Sequence, residues 1–241
     1  MKTLRDALVI AWLNGWIAAV RGWIWVVSAS ISPVSFLIIL WIYGGVEGLK
    51  WGLVGGFIWT IAANGIGLIG DATYYRVGIK YQSMLVAAPV SPVGYALGLA
   101  LSSFIFALPT LAIYMAAMSA LGVWILNPVS IYALVALWLA SAGLGFTLST
   151  FIKHMKYAWS IPQILSTVFT VGAPVYYSAY VLPTPYLGLA LPTGGAAVLI
   201  HNSLNFVQYP HDLTTAAVFT LGAQAAAGLY FLVKIAKWRL S

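Results

Sequence analysis

Residues that could carry out acid–base, nucleophilic or metal chemistry are scarce in this sequence. The chain contains 4 Asp and Glu residues, 3 His and no Cys, so disulfides and thiolate chemistry are excluded. Asp71 lies near Arg76 in the sequence, which favours a local ion pair or a helix-end position over a proton relay. His201 and His211 lack the HxxxH or carboxylate spacing that a metal site needs. No metal site is therefore predicted.

Two sequence motifs of catalysis and nucleotide binding are also missing. There is no GxSxG serine motif, and no Gly-Lys dipeptide from which a Walker A phosphate loop could form. Enzymes and proton-coupled carriers in membranes hold ionisable groups within the bilayer, and the apolar runs of this chain contain almost none. We therefore expect no enzyme activity and no bound cofactor in this chain. Any ATP would be hydrolysed by another chain.

The polar side chains inside the apolar runs are neutral, and they are Thr60, Asn64, Thr147, Ser149, Gln163 and Ser166. Each could line a translocation path. Alternatively, each could bond to a neighbouring helix or to the carbonyl four residues earlier, which is the commoner role of such groups in membrane helices. A path without charge favours a hydrophobic or amphipathic substrate over a permanently charged one.

The elements that would position these groups are transmembrane helices. Hydrophobic residues make up 62% of the 241 residues and charged residues 6%, against roughly a quarter charged in soluble domains. About 20 apolar residues cross a hydrocarbon core of about 30 Å. We predict an all-α membrane protein with a single transmembrane domain, 1–241. Its six transmembrane helices would be 22–43, 52–71, 93–123, 131–151, 158–177 and 213–233.

The distribution of charge predicts the orientation of these spans. Of the 11 Lys and Arg residues, all except Lys50 fall on the same side of the predicted spans. Short cytoplasmic loops collect basic residues, so both termini are predicted to be cytoplasmic, in the plasma membrane. The net charge of +7 is spread between the apolar runs, which favours membrane lipid and not nucleic acid as the partner.

The N-terminal residues 1–21 are predicted to form an interfacial helix, because the residues between Asp6 and Arg21 are too few to span. Apolar residues recur here at every fourth position and would face lipid, namely Leu4, Leu8, Trp12 and Trp16. A cleaved signal peptide is the alternative, but Asp6 and Arg21 interrupt its apolar region.

Residues 179–211 are predicted to form an external re-entrant pair of short helices between the fifth and sixth spans. The apolar run in this segment, 186–200, is short and is broken by Pro192, Gly194 and Gly195. If it spanned, the basic C-terminal end would be external. Non-helical backbone at membrane depth needs protein or water to satisfy it. A loop lying flat on the membrane is the alternative.

The loop between the second and third spans, residues 72–92, carries the most specific pattern. Its basic residues are followed by a short apolar helix predicted over 81–88, and then by Pro89-Val90-Ser91-Pro92. Ser91 can cap the next helix, with Pro92 at its first position. This arrangement resembles the ABC-2 type transporter permeases, whose loop typically reads "LL–small–small–PVS". The stretch 173–200 resembles the family's external region, although Ser83 stands where members often have an acidic residue.

The resemblance implies that 72–92 is a coupling loop that docks on a cytoplasmic ABC ATPase subunit, which would use ATP and Mg. The docking residues would be Tyr81, Met84, Leu85, Val86 and Pro89. A second permease subunit, identical or homologous, would complete a dimer around a path between the second and fifth spans. The polar members of that path would be Thr60, Asn64, Gln163, Ser166 and Thr170. Such a complex would export a drug, a lipid or a lipid-linked molecule.

Two other classes of function stay open. A passive channel or carrier would need no partner subunit, but the sequence shows no charge ring or carbonyl filter. A structural membrane scaffold would need no chemistry, but it would not require the apolar helix at 81–88. Co-purification of an ATPase would separate the transporter subunit from both.

Overall fold

The computed structural model describes residues 2–31, 34–87 and 90–234. Over these ranges the chain is helical and has no β-strand, which confirms the predicted all-α class. The helices are α1 (Lys2–Ala11), α2 (Ala18–Arg21), α3 (Trp23–Ile31), α4 (Val34–Thr73), α5 (Tyr81–Ala87), α6 (Pro92–Ala120), α7 (Pro128–Ser149), α8 (Ser160–Val171), α9 (Pro192–Ser203) and α10 (His211–Lys234). Short π-helical or 3-10 segments lie at Trp12–Ile17, Tyr74–Gly78, Met155–Tyr157, Ala179–Val181 and Pro185–Ala190.

Five helical segments of the described ranges are long and apolar enough to cross a membrane, and they are Lys2–Arg21, Phe36–Gly78, Pro92–Ala120, Pro128–Ser149 and His211–Lys234. These are the helices of a multi-pass membrane protein. They differ from the six predicted runs in three places. The segment Lys2–Arg21, which was predicted to be too short to span, is long and apolar enough to do so. The predicted second span and the last part of the first, from Val34 onward, lie in the single element α4, and the predicted fifth, 158–177, is α-helical only over Ser160–Val171.

The long helix α4 reverses its direction at Gly45. This residue has φ 57° and ψ −143°, a conformation that is essentially restricted to glycine. A Cβ added to Gly52 would lie 2.7 Å from Cδ2 of Leu37, and Gly48 has no room for a Cβ against the Leu40 carbonyl. In a straight helix, residues 40 and 48 would be about 12 Å apart. The two arms of α4 therefore pack against each other as an antiparallel hairpin.

The N-terminal helix packs along the beginning of α6. A Cβ added to Gly98 would lie 2.7 Å from the Cβ of Ile10, so glycine is required for this close approach. Ser91 caps α6 as predicted, since its Oγ accepts a hydrogen bond from the Gly94 N–H at 3.0 Å. The carboxylate of Asp6 also accepts a bond from the Ser91 N–H at 3.1 Å.

The face of the N-terminal segment that was predicted to be turned towards lipid is the exposed one. Its four members are between 45% and 63% exposed, namely Leu4, Leu8, Trp12 and Trp16. The opposite face is buried against α6 and includes Ala7, Ile10 and Ala11. The four-residue spacing of the large apolar residues therefore predicted which face of the helix is exposed, and its contact with lipid stays a prediction.

Helix α7 lies at the centre of the packing, between α4 on one side and α10 on the other. A Cβ added to Gly143 would overlap the backbone of Gly228 on α10, and one added to Gly145 would overlap the Gly65 carbonyl on α4. Small residues of this kind let membrane helices approach closely. Beside α7, the short helix α9 is buried from Pro192 to His201.

The chain between α8 and α10 folds inward alongside α10 and then returns to the point where it began. The Ala179 N–H donates to the Tyr209 hydroxyl at 3.0 Å, so the two ends of the segment meet. The turn between them lies against Gln224, whose Nε2 donates to the carbonyls of Leu189 at 3.1 Å and Ala190 at 3.2 Å. Gln224 is the fourteenth residue of α10, which places this turn about 20 Å along that helix.

Candidate functional site

The predicted coupling loop has a defined structure between α4 and α6. The π-helix Tyr74–Gly78 ends α4, and α5 occupies Tyr81–Ala87, close to the predicted 81–88. Pro89 lies outside the described residues. Val86 lies on α5, and the structure does not describe its side chain. The short helix is therefore placed where the sequence predicted it.

One of the predicted docking residues points outward from α5. The Met84 side chain is 66% exposed. Tyr81 and Leu85 instead pack against the buried cluster that contains Leu68 and Tyr95. The Tyr81 ring also meets the Tyr75 ring of the preceding π-helix, with centroids 5.5 Å apart. This arrangement anchors α5 to the body of the protein while one apolar side chain stays accessible.

The predicted ion pair between Asp71 and Arg76 is not found among the described residues. Their one ion pair joins Lys50 to Glu47, with 2.6 Å between Nζ and Oε1. Asp71 lies in the last turn of α4, so the helix-end interpretation of this residue is correct. Arg76 binds backbone carbonyls at the end of α7 instead.

A polar stripe on α8 lines a cavity of about 100 Å³. The stripe has the spacing of one helix face and consists of Gln163, Ser166, Thr167 and Thr170. Aromatic rings from other elements form the opposite wall, namely Phe36, Trp59 and Tyr176. The Phe36 and Tyr176 rings are stacked, 5.1 Å apart and 5° from parallel. We call this site the polar cavity, and all the residues that line it are neutral.

The structure brings together three of the five predicted path residues and separates the other two. Gln163, Ser166 and Thr170 line the polar cavity. Thr60 and Asn64 do not line it. The Thr60 Oγ1 donates to the Gly56 carbonyl at 2.7 Å, and the Asn64 Nδ2 donates to the Thr60 carbonyl at 2.8 Å. Both side chains therefore donate to a carbonyl four residues earlier in α4, which is the commoner role of such groups in membrane helices.

The aromatic residues of the polar cavity were not predicted from the sequence. Trp59 precedes Thr60 on α4. It lines the polar cavity, whereas Thr60 was the residue predicted to line the path. Phe36 and Tyr176 come from segments far apart in the chain. The Tyr176 ring packs directly against Gly55, where a side chain with a Cβ would overlap it. Only the dense run of tyrosines around 176 hinted at an aromatic surface.

One of the two histidines in the predicted external segment is buried. His201 is fully enclosed in α9, and its ring lies 4.4 Å from the Trp51 ring, centroid to centroid. Across the described residues, no cluster of three or more His, Cys, Asp or Glu side chains forms a metal site. Elsewhere in the predicted external segment, the Tyr186 hydroxyl donates to the Asp212 carboxylate, and this bond raises the pKa of Tyr186.

Comparisons of this chain with protein-family models, with curated proteins and with solved structures find no match. The assignment to the ABC-2 permeases therefore stays a prediction that rests on the residues of the coupling loop and the external stretch.

Proposed function

We propose that this chain is the membrane-spanning permease subunit of an ATP-binding cassette exporter of the ABC-2 type. The observation that supports it most is α5, which presents Met84 outward while Tyr81 and Leu85 hold it against the protein. A firmly held helix passes a displacement on to the spans, whereas a loose loop would absorb it. A separate ATPase subunit would bind α5 and use ATP and Mg.

The proposed topology has six crossings, with both termini in the cytoplasm. The first crossing combines α3 with the first arm of α4, and the second arm of α4 makes the next. The third and fourth crossings are α6 and α7, the fifth is α8 with the residues that follow it, and the sixth is α10. The concentration of basic residues on one side supports this orientation.

The N-terminal helix would lie at the cytoplasmic interface. Helix α6 has 29 residues, a length of about 43 Å, against a hydrocarbon core of about 30 Å. The first turns of α6, where α1 packs, can therefore lie at the headgroup level. The exposed apolar face of α1 would then contact the acyl boundary, as in other interfacial helices.

The segment between α8 and α10 would be re-entrant from the external side. Its ends meet at Ala179 and Tyr209, and its turn lies about 20 Å along α10. Backbone carbonyls at such a depth need internal donors. Gln224 supplies them for Leu189 and Ala190, which favours a re-entrant pair over a loop lying flat on the membrane.

The polar cavity would be one half of the substrate path. At about 100 Å³ it is smaller than typical ligand pockets, which hold roughly 300–1,000 Å³. A second permease subunit would therefore be needed to enclose a substrate. Neutral hydroxyl and amide groups beside aromatic rings suit a hydrophobic or amphipathic molecule, such as a drug, lipid or lipid-linked compound.

Isolation of the complex tests the proposal. The tagged chain is extracted from its own membrane into lipid nanodiscs, and the co-purified proteins are quantified. The proposal predicts one ABC ATPase per permease chain and vanadate-sensitive ATP hydrolysis. A chain that is isolated alone and conducts or transports without ATP would identify a passive channel or carrier, and an inert chain bound to other proteins would identify a scaffold.

A further inference from the structure

Arg76 joins two cytoplasmic segments that are far apart in the sequence. It lies on the π-helix Tyr74–Gly78, between α4 and α5. Its Nη2 donates to the carbonyl of Ser149, the last residue of α7, and to that of Ile152, each at 2.6 Å. Hydrogen bonds from a charged donor are roughly twice as strong as neutral ones. Arg76 therefore holds the end of α7 and the chain that follows it.

The same end of α4 also packs tightly against the segment that leads into α8. A Cβ added to Gly70 would lie 2.6 Å from the Trp159 ring and 3.1 Å from the Ala158 carbonyl. Gly78 follows on the π-helix, and a Cβ added to it would lie 3.6 Å from the Met155 sulfur. Residues 150–159 are thus held by contacts on both sides of Arg76, and α8 begins directly after them.

Tyr75, the residue before Arg76, connects these contacts to α5. The Tyr75 ring contacts the Tyr81 ring at the start of α5, 5.5 Å between centroids. A continuous series of contacts thus runs from α5 through Tyr75 and Arg76 to residues 150–159 and α8. Helix α8 carries the polar stripe, so a movement of α5 has a direct route to the polar cavity.

We propose that Arg76 is a positioning residue that ties α5 to residues 150–159, so that the polar stripe of α8 moves with α5. This inference rests on the proposed function, in which α5 docks on an ATPase. Its competitor is a purely local role, in which the arginine only satisfies the terminal carbonyls of α7. The two differ in what the loss of Arg76 does to the distance between α5 and α8.

Pulsed EPR distances test the tie, because the chain has no Cys and labels can be placed freely. One pair joins Met84→Cys on α5 to Ile164→Cys on α8, both on exposed positions. The control pair joins Met84→Cys to Phe219→Cys on α10, which the tie does not reach. In nanodiscs, Arg76→Met should broaden the first distribution roughly twofold and leave the control unchanged, because the segment opens locally. Arg76→Lys should restore most of the narrow width.

An equally narrow α5–α8 distribution in Arg76→Met overturns the inference, whether or not an ATPase binds. If Arg76→Met does not fold, Tyr75→Leu breaks the tie on its α5 side and should give the same broadening. An unchanged width of the α5–α8 distance distribution in Tyr75→Leu would also contradict the tie.

A second arm separates this inference from the proposed function. With the bound ATPase, ATP and vanadate should shift the distance between Ile164→Cys on α8 and Phe219→Cys on α10 in the parent chain and in Arg76→Lys, but not in Arg76→Met, because α8 follows α5 only while the tie is intact. A shift that persists in Arg76→Met contradicts the tie. Failure to bind any ATPase contradicts the proposed function, and the widths measured without nucleotide still decide the role of Arg76.

Discussion

At the scale of single residues, neighbouring side chains on α8 have different surroundings. Gln163 and Thr167 line the polar cavity, whereas Ile164 and Val168, which are 64% and 47% exposed, lie on the adjacent face and do not line it. The resemblance to the ABC-2 permeases implied that Gln163, Ser166 and Thr170 belong to one path, and the structure places all three at the polar cavity. The sequence did not predict Trp59 at this cavity, because a sequence cannot tell which of two adjacent residues, Trp59 or Thr60, turns towards a neighbouring helix.

Thiol accessibility along α8 distinguishes a water-filled path from a lipid-facing surface. Gln163→Cys should react with a charged methanethiosulfonate reagent roughly tenfold faster than Ile164→Cys, because only a hydrated thiol forms the reactive thiolate. The measurement is the labelling rate in nanodiscs, in a chain without native Cys. Thr167→Cys and Val168→Cys form a second matched pair. Equal rates within both pairs would show that the polar stripe faces no aqueous path.

At the scale of elements, the sequence predicts helices better than it predicts their breaks. The cap of α6 at Ser91 and the short helix α5 followed from local chemistry, since a hydroxyl, a proline and a short apolar run act within a few residues. The reversal at Gly45 was not predicted at that residue, because many of the 23 glycines sit in ordinary helix. The short length of α8 also depends on distant contacts, such as the bond from Thr193 to the Phe169 carbonyl.

Substitution of Gly45 tests the reversal of α4. Gly45→Ala should destabilise the protein by roughly 1–3 kcal/mol, because alanine is strained at its φ of 57°. Gly44→Ala is the matched control, since a Cβ there meets no atom within 4 Å. The measurement is the apparent Tm in detergent. A Tm lowered equally by both substitutions would contradict the hairpin.

Substitution of Gln224 tests the deep turn beside α10. Gln224→Leu removes the side-chain donor to Leu189 and Ala190, and it should cost roughly 1–3 kcal/mol because the carbonyl of the buried Leu189 loses this partner. Thr220→Val is the control one turn away, where the hydroxyl bonds only to carbonyls of its own helix. Apparent Tm values are compared. A Gln224→Leu protein as stable as the control would argue that water, and not Gln224, satisfies the turn.

At the scale of the whole molecule, composition and charge predicted the class of protein but not the exact set of crossings. The all-α fold and the apolar helices followed from hydropathy alone. The count of crossings depends on whether α4 is read as one helix or as a hairpin, and on whether α8 with its following residues reaches the far side. Hydropathy separates the first two runs at 44–51, where Glu47 and Lys50 interrupt the apolar sequence. It cannot decide the second point, because the predicted fifth run, 158–177, stays apolar beyond the end of α8.

Labelling of intact cells tests the proposed topology. Single cysteines at Glu47 and Asn205 should react with an impermeant maleimide, because both positions lie in proposed external turns. Cysteines at Lys80 and His154 should react only after the membrane is permeabilised. The absence of native Cys leaves no background. Labelling of His154→Cys in intact cells would invert the topology and place α5 away from ATP.

The most direct test of the central claim is the retention of the ATPase by a variant of α5. Met84→Asp places a carboxylate on the exposed apolar side chain of α5, and His154→Asp places the same group on a neighbouring exposed turn. An unpaired charge buried at an apolar contact costs more than about 1.4 kcal/mol. Met84→Asp should therefore retain roughly tenfold less ATPase than His154→Asp, at equal amounts of folded permease. Equal retention would contradict the assignment of α5 as the docking helix of a transporter.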